Sequence, residues 1–208
     1  MLEQISGQNV ALVARKLLEK ARQEADKPRD AVKLLKADHD EALELYDKFF
    51  DAESPAEKQE LATKLCIALS VHMRIEEDIF YPAVKQAVDG SEEADREDKM
   101  IIPEAKLEHE SLKKLVSEVE TCPSGVDFDA HVQVMCEYTK HHAKEEEKKM
   151  FPEAKDCDLD LDALGSRLLA SKLDLLERLA QRSGEESLPS TLFGRTGISA
   201  GSGLAGRP

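Results

Sequence analysis

The chain of 208 residues contains no tryptophan, and only 4% of it is aromatic. Glycine and proline are sparse, 10 and 8 in all, and they gather at a few places instead of recurring along the chain. A sheet protein needs β-branched and aromatic runs broken by frequent turn residues, so this profile argues against a β fold and for helices. No apolar run approaches the roughly 20 residues of a membrane span. Near the amino terminus the longest apolar stretch, Val10 to Ala14, is short and runs into Arg15 and Lys16, unlike a signal peptide. The four cysteines, Cys66, Cys122, Cys136 and Cys157, form no CxxC pair and are expected as reduced thiols in the cytosol. A net charge of −14 would repel a phosphate backbone, so neither nucleic acid nor membrane is expected as a partner. There is no HExxH, no phosphate-cradling loop and no Ser/His/Asp order to point to a zinc protease, a nucleotide enzyme or a hydrolase.

What is present is a helix-forming vocabulary of Ala, Leu, Glu, Lys and Asp. Helices are expected over 8–27, 30–52, 55–89, 97–121, 127–156 and 159–182. The first ends at Pro28 and carries Leu12, Val13 and Leu17 on one side. Ser54-Pro55 offers a cap and a first-turn proline, Asp89-Gly90 leads into a loop, and Cys122-Pro-Ser-Gly125 reads as a turn. From Ser183 onward Gly, Ser and Pro dominate, and residues 183–208 are expected to be disordered. The expected division is an amino-terminal helix in 1–29, an all-α four-helix bundle in 30–157, a carboxy-terminal helix in 158–182 and a tail.

The chain repeats itself. KADHDEALELYDKFF (36–50) answers to KLEHESLKKLV (106–116), and HMRIEEDIFYPAVK (72–85) to HAKEEEKKMFPEAK (142–155). His39 and His109, His72 and His142, Glu76 and Glu146, Pro82 and Pro152, Lys85 and Lys155, and Cys66 and Cys136 are all separated by 70 positions. The chain is therefore expected to form two helix hairpins of one design.

Each hairpin helix carries an inward stripe with steps of three and four. The stripes are Val32, Leu35, His39, Ala42, Tyr46, Phe49; Leu61, Leu65, Ala68, His72, Glu76, Ile79; Ala105, His109, Leu112, Val116, Val119; and Met135, Tyr138, His142, Glu146. From His39 the first loop is roughly 20 Å away and His72 is roughly 25 Å back from it, so an antiparallel bundle brings the imidazoles to a common depth. His72/Glu76 and His142/Glu146 are i, i+4 pairs, each on one helix face. Burying two facing carboxylates costs several kcal/mol or more unless cations offset it. Two divalent ions, each with two histidines and with Glu76 and Glu146 bridging, would give every polar atom a partner. Imidazole with carboxylate suits iron, with manganese or zinc as the alternatives.

The order His … His-x3-Glu … His … His-x3-Glu, with Phe-Tyr-Pro and Met-Phe-Pro after the paired residues, resembles the hemerythrin/HHE cation-binding family over about residues 30–156. That resemblance implies an up-down-up-down bundle with a non-haem di-iron centre held by His39, His72, Glu76, His109, His142 and Glu146. Oxygen-carrying hemerythrins have a further histidine one turn away on the third helix. Here Ala105 and Lys113 stand there, so the set is closer to the iron-centre-repair and nitric-oxide-responsive branch. Members of that branch often carry a cysteine in an amino-terminal segment, whereas no cysteine precedes Cys66.

His141 competes with His142, because Glu145 gives it an i, i+4 partner; its counterpart in the repeat is the apolar Val71, which favours His142. His131, three turns before His142, is expected at the surface. Cys66 and Cys136 read as small core residues, and Tyr46 and Tyr138 as inward-facing residues near the site whose main role is packing. The leading functional reading is a di-iron protein that binds, senses or reacts with oxygen, peroxide or nitric oxide, in stress response or iron-centre repair. The alternatives are an iron-supply protein without turnover and a metal-sensing interaction module.

Overall fold

A computed structural model describes residues 7–25, 30–90, 95–157, 159–182 and 188–193. The elements are α1 (Gly7–Glu24), α2 (Ala31–Asp51), α3 (Pro55–Ile75), α4 (Tyr81–Gly90), α5 (Arg96–Thr121), α6 (Val126–Glu145), α7 (Phe151–Asp156), α8 (Leu161–Ala180) and α9 (Leu188–Phe193). Side-chain caps start four of them. Asp30 accepts the Lys33 N–H at 2.8 Å, and Ser54 accepts the Glu57 N–H at 3.1 Å just ahead of Pro55. Asp95 and Asp98 form a reciprocal capping box at α5, and Asp160 caps α8 through the Ala163 N–H. Gly125, at φ +145, makes the turn into α6 in a conformation that disfavours a side chain.

The α2/α3 and α5/α6 hairpins close a ring in which α2 packs on α3, α3 on α5, α5 on α6 and α6 on α2. This is the all-α up-down-up-down bundle expected from the stripes. α1 and α8 lie against each other and cover the outer side of the α2/α3 hairpin. Tyr46, Phe49 and Phe128 fill the ring towards one end and Phe80, Tyr81 and Phe151 towards the other, all fully buried or nearly so.

The long second and fourth helices are not uniform. Between α3 and α4 the Tyr81 N–H donates to the Glu76 carbonyl, five residues back, and between α6 and α7 the Phe151 N–H donates to that of Glu146. Each helix thus carries a π turn, Glu76–Phe80 and Glu146–Met150, at matched places in the repeat. The extra residue rotates the succeeding turns by about 100°. The expected stripe therefore fails after Glu76: Ile79 is only partly buried, while Phe80 and Tyr81 are enclosed.

Three other expectations are corrected. Tyr138 is 48% exposed, because the buried face of α6 runs through Val132, Met135, Thr139, His142 and Glu146 and leaves it a residue off. Leu12 is 53% exposed for the same reason, with Val10, Val13, Ala14 and Leu18 forming the inner face of α1. Within the stretch expected to be disordered, residues 188–193 form α9, whose Leu188 and Leu192 are buried against α3 and α5. Two leucines one turn apart give that turn an apolar face to bury. The rest of 183–208 lies outside the described residues, as does the loop expected after Asp89-Gly90, residues 91–94. Among the described residues no helix is long and apolar enough to cross a membrane.

Candidate metal centre

His39 on α2, His72 on α3, His109 on α5 and His142 on α6 meet at one level, all buried. The two π turns begin there, with Glu76 and Glu146 as their first residues. Ligand-capable atoms of His39, His72, Glu76 and Glu146 lie within 4.8 Å of one another, as do those of Glu76, His109 and His142. All six residues picked out from the sequence are therefore brought together. His141 is left outside, its side chain 64% exposed, and His131 lies on the flank of α6 with Nδ1 at 2.6 Å from the Asp127 carbonyl.

The histidines are arranged in two pairs. His39 Nε2 is 3.0 Å from His72 Nε2, and His109 Nε2 is 3.0 Å from His142 Nε2. Behind each ring stands a carboxylate. His39 Nδ1 faces Glu147 at 3.3 Å, His109 Nδ1 faces Glu77 at 2.9 Å, and His142 Nδ1 faces Glu108 at 2.8 Å. His72 Nδ1 is 3.5 Å from Asp38, longer than a well-formed hydrogen bond. Carboxylates only accept, so these contacts hold the proton on Nδ1 and leave the Nε2 of a neutral ring as a lone pair. Two lone pairs facing at such a distance repel unless a cation lies between them. The donor set fits a metal.

The acidic residues point the same way. Glu76 Oε1 is 3.2 Å from His72 Nε2 and its Oε2 is 3.4 Å from His109 Nε2. Glu146 Oε2 is 3.3 Å from His39 Nε2 and 3.5 Å from His142 Nε2. Each carboxylate thus spans one ring of each pair. Among the described residues neither oxygen of Glu76, nor Oε2 of Glu146, has a hydrogen-bond partner. Burial, with Glu146 as a like-charged neighbour, drives the Glu76 carboxyl well above the usual carboxylate range. Burial also opposes ionisation of Glu146, but His142 and His39 outweigh it and hold that group low. Burial likewise lowers His72 to about 4, against the pull of Asp38, and lowers His109. His142 goes the other way: burial is outweighed by Glu146 and Glu108, which raise it, so a cation bound there would have to displace its proton.

Sequence reasoning missed the outer carboxylates and one inner hydroxyl. Asp38 and Glu108 precede ligand-position histidines, and Glu77 and Glu147 come directly after Glu76 and Glu146; both sets obey the 70-residue offset, which was the signal available. Tyr81 Oη donates to Glu146 Oε1 at 2.6 Å and lies 3.0 Å from His109 Nε2. Burial and the adjacent carboxylates push its phenol well above its usual range, so it stays a donor. Tyr46, by contrast, bonds Thr139 at 3.1 Å rather than the site. Cys66 and Cys136 are buried free thiols, raised by desolvation, in keeping with small core residues.

Residues outside the bundle also reach this outer layer. Lys172 of α8 pairs with Asp38 at 2.6 Å. Lys113, buried on α5, pairs with Glu77 at 2.8 Å beneath the ring of Phe193 of α9, whose centroid is 4.2 Å away.

A helical ring that gathers four imidazoles and two buried carboxylates in its middle, with three of the four carboxylate oxygens lacking a hydrogen-bond donor among the described residues, defines a cation-binding bundle protein. A family model described as the hemerythrin HHE cation-binding domain matches residues 30–154. The chain belongs to that family. It is similar in structure to a hemerythrin HHE cation-binding domain-containing protein from Mycobacterium kansasii, at 24% identity and a TM-score of 0.60, over 74% of this chain and 94% of that one. No curated protein sequence matches it.

Proposed function

We propose that the chain binds two iron ions, one between His39 and His72 and the other between His109 and His142, with Glu76 and Glu146 shared. The observation that carries this reading is the spanning position of the two glutamates, each within 3.5 Å of one ring of either pair. Manganese and zinc use similar donors; the nitrogen-rich set with carboxylates suits iron. When bound, such ions supply a redox-active centre with positions open to a small ligand. The chain's own residues orient and insulate it. Glu147, Asp38, Glu77 and Glu108 fix the rings, Phe80 and Phe151 keep water from one side, and Tyr81 holds a proton at Glu146 Oε1.

The function proposed for this centre is to bind, sense or react with oxygen, peroxide or nitric oxide, in stress response or repair of iron centres. Metal analysis of the native protein and of His72→Ala is the first test, with about two irons per chain expected in the former and a loss in the latter. Ferrous-loaded protein should then show an optical change with nitric oxide or consume oxygen or peroxide. Iron that exchanges freely with no response to any of the three would leave only the storage or supply reading.

A further inference from the structure

The two hairpins differ in how the carboxylates behind their imidazoles are held. Glu147, behind His39, pairs with Lys36, a half-exposed residue of α2 itself. Glu77, behind His109, is held by Lys113, which is buried. One oxygen of Glu77, Oε1, takes both the His109 Nδ1–H at 2.9 Å and the Lys113 ammonium at 2.8 Å. The repeat places Leu43 where Lys113 stands, so this arrangement belongs to one half only. Lys113 has two further partners: Glu110 at 2.8 Å, and the ring of Phe193, whose centroid is 4.2 Å from the ammonium nitrogen. The same ring lies 5.7 Å from the guanidinium of Arg74 on α3.

The cation behind His109 is therefore met by a segment far along the chain. α9 packs on α3 and α5 and lies outside residues 30–154 of the family domain. It is tied at two places along α5. The Leu188 N–H donates to Glu120, and Phe193 meets Lys113 seven residues earlier, about 10 Å along that helix. Leu188 and Leu192 are buried. A helix of six residues has no stability of its own. Two leucines, one ring and one accepted N–H hold it against the entropy of ordering the segment, a close balance. Segments held this way exchange between docked and free states while the core stays folded. When α9 lifts, Lys113 loses the ring beside it and meets water, which weakens its hold on Glu77 and loosens His109.

We propose that α9 is a latch whose docking fixes His109 through Lys113 and Glu77, so that a cation held by His109 and the docked segment stabilise each other. The link is reciprocal by necessity: whatever factor docking adds to cation affinity, the cation adds to docking. The inference rests on the reading of the histidine cluster as a metal centre, and it makes the two halves of that centre unequal. Only the His109/His142 half is coupled to the carboxy-terminal segment. Occupancy of the buried centre is thereby reported at the surface of the protein.

Three variants of the full-length chain test the link. Phe193→Ala removes the ring, Leu192→Asp places a charge where α9 is buried, and Phe193→Tyr keeps the aromatic face. In metal-stripped protein, NMR follows exchange of the Nδ1 protons of His109 and His39. The first two variants should speed exchange at His109 several-fold and leave His39 unchanged, with Phe193→Tyr matching the unaltered chain. In iron-loaded protein, amides within 188–193 should exchange about 10-fold more slowly than in the stripped form, and Phe193→Ala should weaken one iron by about the same factor and spare the other. Equal His109 exchange in all four proteins overturns the proposal, as do 188–193 amides indifferent to bound iron. So does a loss of affinity shared by both irons, the mark of a generally loosened bundle. A chain that holds no iron yet shows the His109 effect supports the link from α9 to His109 and defeats the metal reading, a separate result.

Discussion

Tyr81 and Phe151 occupy equivalent places in the two hairpins, yet only Tyr81 brings a hydroxyl to the site, 2.6 Å from Glu146 Oε1. Phe151 instead lies parallel to the ring of His39, at 7° and 5.8 Å between centroids. The repeat is thus broken where the chemistry would notice it: one half of the centre has a proton donor and the other a stacked apolar ring. Tyr81→Phe should fold normally and keep its iron. Without metal it should be less stable by about 1–3 kcal/mol, because Glu146 loses its donor. Urea unfolding of stripped protein measures this, and equal midpoints for the two proteins would refute it.

Glu76 supplies a sharper sign test. In stripped protein its carboxyl is buried, unpartnered and beside Glu146, so Glu76→Gln should leave that form unchanged or stabilise it. In iron-loaded protein the same change removes a shared carboxylate and should lower both metal content and melting temperature. Calorimetry of both forms decides the matter. A variant destabilised to the same extent with and without iron would mean that the carboxylate has an ordinary structural role.

The outer carboxylates should matter without touching metal. Glu108→Gln keeps an acceptor for His142 Nδ1–H but removes the charge that makes the ring a stronger ligand. Affinity for iron is expected to fall about 10- to 100-fold, measured by competition with a chelator. Unaltered affinity would show that Glu108 serves only the surface pair with His141.

Glu120 predicts a pH dependence away from the centre. Both its oxygens accept the Leu188 N–H, at 3.0 and 3.1 Å, at the start of α9. Burial raises its carboxyl from the ordinary 4.5 to about 7, with the Leu188 bond and Arg182 pulling the other way. A raised acid pKa means the folded state holds the proton longer than the unfolded chain does. This group therefore lowers stability as pH rises from 4.5 to about 7, by up to about 3 kcal/mol, and its effect is constant above that. Glu120→Gln should remove this slope and raise the melting temperature more at pH 8 than at pH 5. Parallel melting curves across that range would count against it.

How far the chain could be read in advance depends on what periodicity encodes. A stripe of steps of three and four says which residues share a helix face, and the matched hairpins say which faces share a depth. That was enough to bring His39, His72, Glu76, His109, His142 and Glu146 together. It was not enough after Glu76, where one residue added to a turn rotates everything beyond it and carries no compositional mark. Tyr138 and Thr139 lie ahead of the second π turn, and the cause there is different: steps of three and four between Met135 and His142 admit either one, and only packing chose Thr139.

The amino-acid sequence alone determined the class of fold, the duplicated hairpins and the six buried donors, because these depend on spacing along single helices and on the cost of burying unpaired charge. Only the tertiary structure decided which tyrosine reaches the centre, which carboxylates stand behind the imidazoles, and that α8 and α9 reach this outer layer from outside. Those relationships join side chains far apart in the chain, such as Lys172 with Asp38 and Phe193 with Lys113. Distance and orientation between helices set them, and no local pattern carries either.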